Sequence, residues 1–130
     1  MPLGRRKFVT YLAAAATLAG PATELAKGAN NMWGMIAKLT AAPGKRDQLA
    51  AILTAGTRDM PGCLSYVVAK DASDENTLWV TEVWDSQASH DASLTLPAVK
   101  DAMSQGRPLI AGFEKIATTA PVGGVGLSKG

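Results

Sequence analysis

A chain of 130 residues with 47% apolar and 18% charged side chains has room for one compact domain, not two, and carries no charge run or low-complexity tract that would keep it unfolded. Its formal charge of +2 comes from Arg5, Arg6 and Lys7; without these three of its 13 basic residues, 10 face 11 acidic ones, and a nearly neutral body lacks the basic stripe that binding to a phosphate backbone requires, so no nucleic-acid partner is expected. Cys63 is the only cysteine, which rules out an intrachain disulfide and a multi-cysteine metal site.

The chain starts with a basic stretch, Gly4-Arg5-Arg6-Lys7-Phe8-Val9-Thr10, followed by the Ala-rich run from Tyr11 to Ala19. Basic then apolar is the order of an export signal. The run falls well short of the ~20 strongly apolar residues that cross a bilayer as a helix. The segment resembles the twin-arginine leaders, although Gly4 and Val9 depart from their usual residues. Residues 1–28 are therefore expected to be a leader and linker, cut after Ala22 or Gly28, that delivers the domain to the periplasm or otherwise exports it through the twin-arginine pathway and touches the membrane only during export.

Met32 to Thr40 is short and apolar and ends at Ala42-Pro43-Gly44, which predicts a first strand. Leu49, Ile52, Leu53 and Gly56 then recur at helical spacing, predicting an amphipathic helix from Lys45 to Gly56. Pro61-Gly62 breaks the chain, and Cys63 to Lys70 sets Leu64, Tyr66 and Val68 against Cys63, Ser65 and Val67 in strand alternation. The polar turn Asp71 to Asn76 leads into Thr77 to Trp84, so the second and third strands form a hairpin. Asp85 or Ser86 caps a helix from Gln87 to Leu94, and Pro97 opens another that places Val99 and Met103 on one face. Gly106 and Pro108 end it. A last strand fits Phe113 to Thr118, and residues 119–130 are too poor in apolar side chains to hold a structure alone.

The order β, α, β, β, α, β predicts an α+β, ferredoxin-like split βαβ domain over residues 32–118, with helices on one face of a four-stranded antiparallel sheet. The other face needs cover, and a second copy packed sheet to sheet would supply it.

Trp33 to Leu39, Pro43 to Leu49, Pro61 to Tyr66 and Glu82-Val83-Trp84-Asp85-Ser86-Gln87-Ala88-Ser89-His90 follow one another in an order and spacing that resembles the antibiotic biosynthesis monooxygenase domain. The Glu-x-Trp followed six residues later by His is the most specific part. The resemblance implies a homodimeric α/β barrel with a small aromatic pocket between sheet and helices. It also implies oxidation of a small quinol, anthrone or related phenol with O2, without metal, flavin or haem.

His90 is the only histidine, a side chain that exchanges protons near neutrality, and it is the candidate base for a phenolic proton. Glu82 shares a strand face with Leu78, Val80 and Trp84; beneath the helices it becomes a buried carboxylate suited to a proton relay or to holding a substrate hydroxyl. Trp84 is the candidate stacking surface for a planar substrate, and Tyr66 is placed in the neighbouring strand with its hydroxyl toward the same pocket. Trp33 and Trp79 are expected to cover the sheet or a dimer seam, and Arg58 and Arg107 to sit by turns. Two other readings remain open. One is a non-catalytic periplasmic dimer that binds a small aromatic or apolar ligand. The other is haem binding or degradation, which Trp84 matches, but Met103 stands near where such relatives carry their haem-ligating His.

Overall fold

A computed structural model describes residues 31–127; the expected leader lies outside the described residues. Strand β1 (Trp33–Ala41) leads through Gly44, whose φ of +76° suits glycine, into helix α1 (Arg46–Gly56). The hairpin β2 (Cys63–Lys70) and β3 (Thr77–Trp84) follows, then helices α2 (Gln87–Ser93) and α3 (Pro97–Gly106), a 3-10 turn (Arg107–Leu109), and β4 (Ile110–Thr119). The strands lie in the order β2-β3-β1-β4 with every neighbour antiparallel, the ferredoxin-like arrangement that the element order predicts.

The helices cover one face of the sheet. Ala37, Leu39 and Ala41 of β1 and Leu78 and Val80 of β3 pack beneath Leu49 of α1, which is wholly buried. α1 and α3 approach closely because Gly56 has no side chain: a Cβ there would press into Ala102. On the outer face Ile36, Thr81 and Val67 stand in one cross-strand row, and Val67 is half exposed.

Local polar contacts fix the hairpin. The Asp71 carboxylate accepts from the backbone N–H groups of Ser73 and Asp74 and, at 2.7 Å, from Trp79 Nε1. Those bonds, the Asp74 amide first, hold its carboxyl down at about 2. Arg46 at the start of α1 donates from Nη1 to the Asp74 carbonyl at 2.7 Å, tying helix to turn. Trp79 lies on the outer face with Lys38 Nζ 5.9 Å from its ring centre.

The last strand starts earlier than its alternation suggests. Ala41 pairs with Ile110, and the register slips between Ile36 and Ala37 and between Thr40 and Ala41. These bulges break the period of two in an edge strand. Beyond β4, residues 120–127 form no strand or helix, and Pro121 lies against Gly34, where a Cβ would come within 3.1 Å of its ring.

Gly62 matters for the site. Its φ is +85°, and a Cβ there would collide with the Ser89 side chain and approach Asp85 Oδ1 to 2.8 Å; its carbonyl accepts the Asp85 N–H at 2.8 Å. The start of β2 thus rests directly on the start of α2. Gly62→Ala is expected to destabilise the domain by more than ~1 kcal/mol in chemical denaturation, since strain and clash act together, whereas Gly44→Ala meets open space and should cost less.

Candidate active site

Register builds the site. In β1, β3 and β2 the row Met35, Glu82, Tyr66 lies beside the row Trp33, Trp84, Cys63, all on the helix-covered face. Opposed side chains in such rows sit about 5 Å apart. α2 delivers His90 onto them: Ser86, in extended conformation, accepts the Ser89 N–H at 3.1 Å and caps the helix, and Ser93 Oγ donates to the His90 carbonyl at 2.6 Å. The imidazole lies between two indoles, 4.6 Å from Trp33 in a tilted stack and 5.5 Å from Trp84 edge to face.

Glu82 is buried, and its Oε1 accepts from Trp84 Nε1 at 2.8 Å. His90 Nε2 stands 3.9 Å from the same oxygen, beyond direct hydrogen-bond reach, while Nδ1 is 3.0 Å from Asp91 Oδ1. Burial pushes the Glu82 carboxyl above its ordinary value of 4.5, partly offset by the Trp84 N–H and by His90. Burial also raises the Tyr66 phenol, helped by the neighbouring Glu82 charge. Cys63, half-buried, is raised by the same cause and donates weakly to the Ser65 carbonyl at 3.6 Å.

These groups form the polar end of a cavity of about 400 Å³ between the sheet and the helices, within the range of small-molecule sites. Met35, Leu53, Met60, Val80, Val99 and Ala102 make its walls apolar. Leu94, Met103, Arg107 and Phe113 also line it while remaining largely exposed, which places them at its mouth. A buried carboxylate and an imidazole nitrogen, close together at the end of an apolar chamber, can accept and hold a proton from a hydroxyl presented between them.

The family model for antibiotic biosynthesis monooxygenase matches residues 32–105. The chain belongs to this family. Among solved structures, a candidate antibiotic biosynthesis monooxygenase from Chloroflexus aurantiacus J-10-fl is 57% identical, with 75% of this chain and 99% of that one covered at a TM-score of 0.72. A Mycobacterium tuberculosis protein is 25% identical over 73% of this chain and 99% of its own, at 0.62. A candidate member from Nitrosomonas europaea is 10% identical over 72% and 92%, at 0.66, a likeness of fold alone. No curated protein sequence matches significantly.

In this monooxygenase-family domain the four residues singled out from sequence, His90, Glu82, Trp84 and Tyr66, line one cavity. Trp33, expected to cover the sheet or a dimer seam, lies on the helix-covered face of the sheet and stacks on His90. Its parity with Met35, Ala37 and Leu39 carried that information, because alternate residues share a face. Arg107 reaches the cavity mouth and Arg58 does not line the cavity. Asp91 gave no signal as a partner of His90, since adjacent helical residues point apart.

The raised Glu82 carboxyl makes stability depend on pH. In the unfolded chain Glu82 ionises near 4.5, while in the native state it holds its proton to higher pH. Its contribution is therefore complete below 4.5 and is lost as pH rises toward the native value. The unfolding free energy of the wild type is expected to fall relative to Glu82→Gln across that window and then to run parallel; a difference that grows with pH would contradict the burial argument.

Proposed function

We propose that this chain is a monooxygenase that oxidises a small quinol or polyphenolic aromatic with O2, using the substrate itself as the source of electrons. The observation that carries the reading is the placement of Glu82 Oε1 and His90 Nε2 3.9 Å apart in a cavity whose walls are mostly apolar. A planar ring lies against the Trp84 side of the cavity, with its hydroxyl between the carboxylate and the imidazole. His90 Nε2 takes the phenolic proton, with the imidazole ring held between the indoles of Trp33 and Trp84. Glu82, 3.9 Å from Nε2, stands as the counter-charge to the resulting imidazolium, and the Tyr66 phenol borders the same space. The electron-rich phenolate reduces O2. One oxygen atom stays on the ring carbon, the other leaves as water with protons from the substrate, and all four electrons come from the substrate.

The apolar walls favour a second reading, in which the chamber binds an aromatic or apolar ligand without turnover. Oxygen consumption separates the two. The metal-stripped protein is mixed with a panel of naphthoquinols and anthrones: uptake supports the enzyme, whereas ligand-induced thermal stabilisation without uptake supports the binder.

The working unit we propose is a homodimer that covers the outer row Ile36, Thr81 and Val67, exported by the twin-arginine leader. Light scattering should give twice the chain mass, and Arg5→Lys with Arg6→Lys should retain the protein in the cytoplasm.

A further inference from the structure

We propose that Asp91 is a positioning residue that fixes which nitrogen of His90 faces the cavity. The assignment rests on the reading of His90 as the base. Nδ1 stands 3.0 Å from Asp91 Oδ1, and a carboxylate oxygen only accepts, so the neutral ring must carry its proton on Nδ1. Nε2 is then an unprotonated acceptor, and it is the nitrogen that faces Glu82 at the polar end of the cavity. Without Asp91 nothing in the contacts of the ring selects that tautomer: Trp33 and Trp84 present faces and edges, and Glu82 lies beyond hydrogen-bond reach.

The contact is not a by-product of the helix. Consecutive helical side chains diverge, yet in this short helix, shaped by the Ser86 cap and by the Ser93 bond to the His90 carbonyl, Asp91 turns back onto its neighbour. Exposure falls along the chain of groups, from 63% for the Asp91 side chain to 16% for His90 and 8% for Glu82. A hydrogen bond to so exposed a carboxylate adds little to stability. Its effect is on the ring, and substitution should leave the melting temperature almost unchanged.

The test is the tautomer of His90 in the full chain, labelled with 15N-histidine and read by long-range 1H–15N correlations above the pH at which the ring is protonated. The wild type is expected to show the Nδ1–H form, Asp91→Ala to shift to the common Nε2–H form, and Asp91→Asn, which retains an acceptor oxygen, to keep the wild-type pattern. A wild-type ring in the Nε2–H form, or an Asp91→Ala spectrum identical to wild type, would overturn the assignment. The measurement needs no substrate, so it stands or falls separately from the proposed reaction. With a turned-over quinol, Asp91→Ala should lose kcat at unchanged KM, and Asp91→Asn should recover part of it; an equal loss in both variants would mean that Asp91 acts through its charge and not by orienting the ring.

Discussion

His90→Ala is expected to lower kcat/KM for oxygen consumption about 10²–10⁴-fold, the range a positioned general base supplies. The fall should appear in kcat, because on the proposed reading the substrate ring is held by the apolar cavity walls, which the substitution leaves in place. Folding should survive: the imidazole is partly exposed, and the helix that carries it is capped by Ser86. His90→Gln fills similar space without a base and should be as inactive as alanine. An increase in KM alone would assign His90 to binding and remove it from the chemistry.

Trp84→Phe tests the pairing that keeps a carboxylate inside the domain. Trp84 is fully buried, and its Nε1 donates at 2.8 Å to Glu82 Oε1. Phenylalanine retains much of the packing but removes the donor, and leaving a buried acceptor unsatisfied costs about 1–3 kcal/mol. Trp84→Ala adds a cavity and should cost about 3–5 kcal/mol, a large share of the ~5–15 kcal/mol that holds a domain together. Loss of the indole N–H also removes what most opposes the effect of burial, so the Glu82 carboxyl should rise further. In a double-mutant cycle, Glu82→Gln should recover part of the Trp84→Phe loss, because a neutral amide tolerates the missing donor better than a carboxylate. Strict additivity would mean that the bond contributes nothing.

Much of the architecture is legible in the sequence because strand alternation and helical spacing report burial directly. Leu78, Val80, Glu82 and Trp84 read as one face, and the structure places all four beneath the helices. Turn residues set the boundaries, as with Gly62 before β2 and Pro97 at the first position of α3. What alternation omits is register, which decides what meets what across strands. Parity puts Trp33 on the helix-covered face, but its meeting with His90 depends on its pairing with Trp84, which no local pattern reports. Ile110 joins the last strand through a bulge that hides it from a period of two. The Asp91 contact runs against the rule for neighbouring helical side chains, so it emerges only from the folded geometry.

The central claim is oxygen insertion, and isotope labelling tests it most directly. The full chain is given a quinol or anthrone that supports uptake under 18O2, and the product and water are analysed by mass spectrometry. The account predicts one 18O atom in the organic product and the other in water, with both lost in His90→Ala. A fully oxidised product free of label, with 18O recovered in hydrogen peroxide or water, would contradict it and make the protein an oxidase.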